Sequence, residues 1–374
     1  DGTFQEGKPE IVRNRLPVRY DPKAVQPVHW LQFLSDLLYP EDIPTVQEFI
    51  GYCLIPSNKG QRMMVIKGIY AKHGVQSLNH GIGFNGAAIE LLLPTYGEQL
   101  GLKGKICRNW VLNPHPTLIP AIEAGWVESV CAFGGEVGME KYTEERSDIF
   151  FTGADGTLRS NRTLAQVAGL YAIDSFLGAT LQMDYYGNSS TVTAGRLSGF
   201  GGAPNMGHNP GGRRHSSPAY HSLVEGKDTL RGGQKIVIQM LKSSGKKGNN
   251  FVPELDAIAI GRDAGMEAPP IMVYGEDVSH TVTEQGIAYC YMAEDAEERR
   301  LMLASIAQGT PFGEMVTKEQ IEAFRKAGKV AYPEDLGIDR AMATKDLLAC
   351  KTLEEIAECS GGLYVVPEKF RKKD

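Results

Sequence analysis

The spacing of apolar residues divides the chain into two textures. In WLQFLSDLLYP and PTVQEFIGYCLIP they recur at three and four residues, predicting two short helices behind a polar, proline-bearing stretch at residues 1–28. From Met63 onward the pattern becomes glycine-punctuated α/β. AAIELLL predicts a helix after a glycine turn, IPAIEAGWVESVCAF a helix and then a strand, and KIVIQML and PPIMVYG buried strands. TLAQVAGLYAIDSFLGATLQMD reads as a buried helix passing into a strand, RMMVIKGIYA as a strand, and GVQSLNH as a weak one. KSSGKKGNN is the one linker-like stretch, followed by amphipathic helices in EDAEERRLMLASIA, TKEQIEAFRKAG and TKDLLACKTLEEIAECSGG. Thr317 with Gln320 fits a capping box, and Gly328 sits where a C-cap belongs. The expected organisation is a helical segment over 1–62 and an α/β region over 63–374.

Composition narrows the class. With 42% apolar and 22% charged residues, 374 positions suffice for a sizeable core. A formal charge of −6 without a long Lys/Arg block argues against a general nucleic-acid binder. The six cysteines carry no CxxC pair, so they indicate neither a zinc ribbon nor a disulfide framework and read as reduced thiols. There is no signal pattern and no run of eighteen apolar residues, so the expected location is the cytoplasm, with no membrane partner.

Candidate chemistry is concentrated in three places. Residues 199–218, GFGGAPNMGHNPGGRRHSSP, hold six glycines with Arg213 and Arg214, a loop able to present backbone N–H groups and forked donors to an anion, or else a plain surface turn. Gly81, Gly83 and Gly86 in HGIGFNG have dinucleotide-fingerprint spacing, but no acidic residue follows about twenty positions on; a substrate-facing turn at a helix N-terminus fits better. Glu136 in AFGGEVGMEKY stands between glycines at a strand end, exposed either as a reactive carboxylate or as a turn residue, with Glu140 the less constrained neighbour. Other motifs fail. Gly68 and Gly74 are followed by Val75 rather than the lysine of a phosphate loop, and His208 and His215 lack HExxH context, so no metal is implied. Ser189 and Ser190 lack a GxSxG elbow and read as a polar turn lining a pocket.

From Met63 to Lys373 the chain resembles the C-terminal half of malonate decarboxylase alpha subunits. The resemblance is carried by IKGIYAKHGVQSLNHGIGFNGAAIELLLPTYGEQLGLKGKICRNWVLNPHPTLIPAIEAGW, FFTGADGTLRSNRTLAQVAGLYAIDSFLGATLQMDYYGNSSTVTAGRLSGFGGAPNMG and GRRHSSPA. More distantly it is similar to the glutamate-bearing half of family I CoA transferases, where HGIGFNG, GGEVG and GFGGAPN counterparts recur in the same order. The resemblance implies an α/β, CoA transferase-like layered domain preceded here by a short helical segment. It implies exchange of acetyl-S-acyl carrier protein and malonate for malonyl-S-acyl carrier protein and acetate, with a further N-terminal α/β half in a full alpha subunit. Glu136 becomes the acyl-accepting or acid/base carboxylate. Gly81, Gly83 and Asn85, with Gly201, Gly202 and Ala203, become the thioester and substrate contacts, and Asn205, Arg213, Arg214 and His215 polar contacts. Gly135 and Val137 stand where CoA transferases usually carry Ser and Asn, so covalent glutamyl and direct malonate attack both stay open.

The implied partners are malonate, an acyl carrier protein bearing a phosphopantetheine-type, dephospho-CoA-derived arm, the beta and gamma subunits, and a further copy of the chain. No cofactor is expected on the chain itself. Residues 27–68 instead resemble the helical segment ahead of the phosphate loop in phage and plasmid primase-helicases, without the GxxxxGK[ST] element.

Overall fold

In the computed structural model, residues 60–81, 83–132, 134–153, 172–190, 192–193, 196–197, 206–209, 218–223, 235–245, 248–267, 272–340 and 344–371 are described, together with positions 28, 32, 36 and 167. The chain divides into two units, residues 1–58 and 59–374. In the first, positions 28, 32 and 36 are helical, and Gln32 Nε2 donates to Asp36 Oδ1 at 2.8 Å, the contact expected one helical turn apart.

The second unit is built on a nine-stranded sheet. Its strands are β1 (Ser77–His80), β2 (Asn109–Leu112), β3 (Ser129–Ala132), β4 (Phe150–Phe151), β5 (Ser175–Ala179), β10 (Ile236–Met240), β15 (His280–Val282), β16 (Ile287–Ala288) and β17 (Val330–Ala331). The remaining short strands, β6 (Met183–Asp184), β7 (Ser189–Ser190), β8 (Val192–Thr193), β9 (Arg196–Leu197), β11 (Ser244–Gly245), β12 (Gly248–Asn249), β13 (Phe251–Val252) and β14 (Met272–Val273), form smaller sheets. The large sheet runs β17-β16-β15-β10-β5-β1-β2-β3-β4. From β15 to β4 every pairing is parallel, and only β16 runs against its neighbours.

Chain order reverses around β1. The path goes from β1 outward through β2, β3 and β4, then returns to β5 on the other side of β1 and continues to β10 and β15. Such a reversal opens a crevice at the carboxyl ends of the two strands that flank it. All five residues of β10 are buried, as a strand covered on both faces requires.

The helices are α1 (Gln61–Val65), continued by a π-helical turn over Ile66–Ala71; α2 (Phe84–Leu92), continued likewise over Leu93–Gly97; α3 (Ile119–Glu123); α4 (Glu140–Glu145); α5 (Pro218–Ser222); α6 (Ala257–Asp263); α7 (Ala296–Ser305); α8 (Lys318–Lys326); and α9 (Leu353–Cys359). None among the described residues is long and apolar enough to cross a membrane.

Three segments differ from their sequence expectation. RMMVIKGIYA is helical, because a short apolar run buried on all sides has no periodicity to separate helix from strand. A Cβ on its Gly68 would lie 2.7 Å from Ile287 Cδ1, so glycine lets the π turn approach β16. KSSGKKGNN is no linker, since β11 and β12 pair as an antiparallel hairpin within it. TKDLLACKTLEEIAECSGG splits into a 3₁₀ turn at Thr344–Leu347 and α9, which Thr352 caps by accepting from Glu355 N–H.

Candidate functional site

The glycine turn after β1 sits at the reversal. Gly81 N–H donates to Leu177 O at 2.8 Å, carrying the β1–β5 ladder one residue beyond the strand. Gly83 then adopts φ 137°, ψ 175°, a conformation open only to glycine, and caps α2. Gly86 packs α2 onto β1: a Cβ there would lie 2.9 Å from His80 Cβ. Asn85 is half-buried in the first turn, and Phe84 before it is 88% exposed. GVQSLNH is thus a central strand, and β1–α2–β2 is a parallel βαβ unit.

Two turns into α2, Glu90 is fully buried beneath this crevice. Its Oε1 accepts from His80 Nδ1 at 3.2 Å and from His115 Nδ1 at 3.3 Å, and its Oε2 from Thr117 Oγ1 at 2.5 Å. His80 Nε2 meets the Tyr70 hydroxyl at 2.8 Å, so with Tyr70 donating, the His80 ring presents Nδ1–H to Glu90. Burial alone would raise the Glu90 carboxyl, but the charge and hydrogen bond of His115, with the bond from His80, hold it below the usual carboxylate range. Burial would lower His115; the charge and hydrogen bond of Glu90, and after them the charge of Glu136, raise it instead. Tyr70 is pushed well up by burial and by the neighbouring Cys107 and Glu90.

The glutamate turn follows β3. Leu112 and Ala132 pair at the ends of β2 and β3, so the segments that leave them run side by side. A Cβ on Gly134 would lie 3.2 Å from Asn113 Oδ1, which brings the turn against the approach to His115. Glu136 is half-buried, and its carbonyl accepts from Met139 N–H at 3.1 Å. Gly138, at φ 92°, donates its N–H to Glu140 Oε2 at 2.8 Å and accepts from Val365 N–H at 3.0 Å. Glu140 is therefore the carboxylate tied into the turn. The charge of Glu136 is felt by His115 on one side and by the Tyr364 phenol on the other. Tyr364 and Val365 also line a cavity of about 510 Å³ with Glu354, Gly362, Val366 and Arg371.

Gly81, Gly83, Asn85 and Glu136 thus lie at the carboxyl ends of β1 and β3. Gly201, Gly202, Ala203, Asn205, Arg213, Arg214 and His215 fall outside the described residues. Ser189 and Ser190 form strand β7, both buried, rather than a polar turn lining a pocket. His208 Nδ1 pairs with Asp277 Oδ2 at 2.9 Å. Among the described residues no three His, Cys, Asp or Glu are grouped to hold a metal ion. The Glu90–His80–His115 network escaped sequence reasoning. Its one signal is a lone acid inside AAIELLL, with histidines next to the Gly81 turn and in NPHP.

A largely parallel open sheet, with a glycine turn at its reversal and a carboxylate turn two strands away on the same edge, defines an α/β domain whose candidate site lies at the carboxyl ends of its strands. Residues 56–373 match the family described as "Malonate decarboxylase, alpha subunit, transporter". The chain is 51% identical over 316 residues to the acetyl-S-ACP:malonate ACP transferase of Malonomonas rubra, covering 82% of this chain and 57% of that protein. A malonate decarboxylase alpha subunit from Acinetobacter baumannii superposes with TM-score 0.78 at 57% identity, over 84% of this chain and 59% of that one. A chain of a Pseudomonas malonate decarboxylase hetero-tetramer, solved in complex with malonate, does so with TM-score 0.79 at 57% identity, over 85% and 58%. The chain belongs to the malonate decarboxylase alpha-subunit family. It spans 57–59% of the length of these relatives.

Proposed function

We propose that the chain acts as an acyl carrier protein transferase, converting acetyl-S-acyl carrier protein and malonate to malonyl-S-acyl carrier protein and acetate within a cytoplasmic malonate decarboxylase. Its partners on this view are the carrier protein with its phosphopantetheine-type arm and the other decarboxylase subunits. The observation that carries the proposal is the continuous 51% identity over 316 residues with a protein named for that activity. The CoA transferase-like fold label is part of the same proposal, supported by the parallel sheet with a glutamate turn after β3.

The chemistry needs a carboxylate oxygen to attack the acetyl thioester carbonyl. A tetrahedral oxyanion forms, the carrier thiolate leaves, and an anhydride remains; the thiolate then attacks the malonyl carbonyl and acetate departs. In the direct route the attacking carboxylate is that of malonate. In the covalent route it is Glu136, and the thiolate returns to the glutamyl carbonyl as acetate leaves. Malonate then attacks this glutamyl thioester to give a malonyl-glutamyl anhydride, and the released thiolate takes the malonyl group and restores Glu136. Backbone N–H groups of Gly201, Gly202 and Ala203 are the proposed oxyanion donors, each worth about 3 kcal/mol in such a role. Gly81, Gly83 and Asn85 are proposed to border the thioester, and Asn205, Arg213, Arg214 and His215 the carboxylates.

A second reading, a chain that docks a carrier protein or subunit without catalysis, draws on the exposure of Val137 (69%) and Val365 (47%) beside the glutamate turn. Incubating the protein with acetyl-S-acyl carrier protein and labelled malonate, with Glu136→Gln in parallel, separates the two. Malonyl thioester in the parent and not in the variant supports exchange through Glu136; carrier binding without exchange supports the second reading.

A further inference from the structure

After α9 two left-handed glycines, Gly361 at φ 66° and Gly362 at φ 81°, turn the chain back toward the glutamate turn. Val365 N–H donates to Gly138 O at 3.0 Å, and a Cβ on Gly138 would lie 3.2 Å from Tyr364 Cε2. The cavity of about 510 Å³ that Tyr364 and Val365 line therefore abuts the turn that carries Glu136. Three polar side chains among its lining residues are unpaired. Tyr364 is 3% exposed and gives its N–H to Ser360 Oγ, but its hydroxyl has no hydrogen-bond partner among the described residues. A phenol so buried ordinarily finds a partner for its O–H. Arg371 spends Nε on Val366 O at 2.9 Å, which orients the guanidinium and leaves both Nη groups without a partner among the described residues. Glu354, half-buried in the first turn of α9, forms no hydrogen bond or ion pair among the described residues, so two opposite charges line one cavity without closing on each other.

Each group restricts the ligand. The free fork of Arg371 matches the oxygens of an anion. Glu354 calls for an N–H donor and repels a second negative charge, which counts against a dicarboxylate. Val365 and Val366 supply apolar wall, and the volume exceeds what a small anion fills. A long chain with one phosphate end, amide groups and aliphatic carbons uses all of these at once. We propose that this cavity holds the phosphopantetheine-type arm of a carrier protein, with the phosphate on Arg371, an amide N–H on Glu354 and an amide carbonyl on the Tyr364 hydroxyl. The identity of the arm rests on the exchange function proposed above; the cavity and its unpaired groups do not. Seated there, the arm runs along the Val365–Gly138 contact, and its thioester end reaches the glutamate turn.

The test is calorimetric titration of the full chain with phosphopantetheine and with pantetheine, which lacks the phosphate. Phosphopantetheine should bind about tenfold more tightly, and Arg371→Gln should remove that difference. Tyr364→Phe, which keeps the ring on Gly138, should weaken both ligands about fivefold. Arg371 is exposed, so its replacement does not endanger the fold. No binding of phosphopantetheine to the parent, or affinities unchanged in both variants, overturns the inference. In exchange assays Arg371→Gln should raise KM for acetyl-S-acyl carrier protein about tenfold and leave kcat and KM for malonate unchanged. An unchanged KM for the carrier thioester overturns the site and leaves the exchange function standing. An Arg371-dependent titration in a parent that exchanges nothing would refute the transferase proposal and leave the site standing.

Discussion

His73 and His280 meet Nε2 to Nε2 at 3.1 Å, both rings buried, with Ser222 Oγ at 2.8 Å from His73 Nδ1 and Ser279 Oγ at 2.8 Å from His280 Nδ1. One ring must donate and the other accept, so the accepting ring is neutral in the folded chain, and burial disfavours a charge on the donating one. Burial, and then the charge of Lys72, pulls His73 down to about 4, and burial with the charges of His73 and Lys72 pulls His280 well down. An unfolded histidine titrates near 6.5. Between these values the unfolded chain binds protons that the folded chain refuses. The contribution of this pair is therefore complete above about pH 6.5 and declines as pH falls toward 4, by about 3 kcal/mol through His73 alone. Urea unfolding at pH 7.5 and pH 5 should show about 2 kcal/mol of this loss through His73, and His73→Asn should flatten it; an equal loss in the variant sinks the assignment.

Glu90→Gln sets an amide against two Nδ1–H donors and leaves His115 charged without its partner. The expected cost is about 3 kcal/mol, the scale for breaking a buried pair from one side. The signs of the two titrations differ. Glu90 is held low, so its contribution is present above its unfolded value and is lost as acid takes pH through its folded value. His115 is held high, so its contribution is complete below about pH 6.5 and fades as pH rises through its folded value. The parent should lose stability from pH 6.5 to 9, and Glu90→Gln should lose much less; identical slopes in denaturant midpoints would show that the pair is not coupled.

Far from the crevice, Thr317 caps α8 reciprocally: its Oγ1 accepts from Gln320 N–H at 3.2 Å, and Gln320 Oε1 accepts from Thr317 N–H at 2.9 Å. Thr317→Ala should cost about 1 kcal/mol of stability and leave exchange unchanged. A thermal scan with a parallel exchange assay checks both, and a large activity loss would mean that α8 is coupled to the site.

That cap was legible because every partner lies within four residues of the next. The helix α2 after its glycine turn, α3 followed by β3, and β10 were legible from their runs of apolar residues, although the strands β3 and β10 find their partners in remote segments. The central strand β1 was harder to read, since SLNH has three polar residues out of four and is specified by β2 and β5 on either side. The π-helical Ile66–Ala71 was misread as a strand, because burial on every side erases the period. Glu136 could be singled out from its flanking glycines. What lies near it could not: His115 and Tyr364 come from two remote segments, and only the parallel register of β2 with β3 and the return of the C-terminal stretch bring them toward its turn.

The return of that stretch makes Gly138 the position where fold and chemistry are hardest to separate. At φ 92° its backbone already disfavours any side chain, and a Cβ would lie 2.1 Å from Val365 O, a backbone atom that cannot turn aside. Gly138→Ala must push the Val365 segment away, break its N–H bond to Gly138 O, and tilt the turn that carries Glu136. A cost of about 2–3 kcal/mol is expected from strain and the lost contact together. Gly101→Ala is the matched control: φ there is 63° with nothing within 4 Å of a Cβ, so it should cost about 1 kcal/mol through backbone conformation alone. Under conditions where both variants remain folded, Gly138→Ala should lose exchange at least tenfold and Gly101→Ala should keep it, since about 1.4 kcal/mol of misplacement in the transition state suffices for tenfold. Equal activity in the two would mean that Glu136 does its work, if any, without needing its turn held in place.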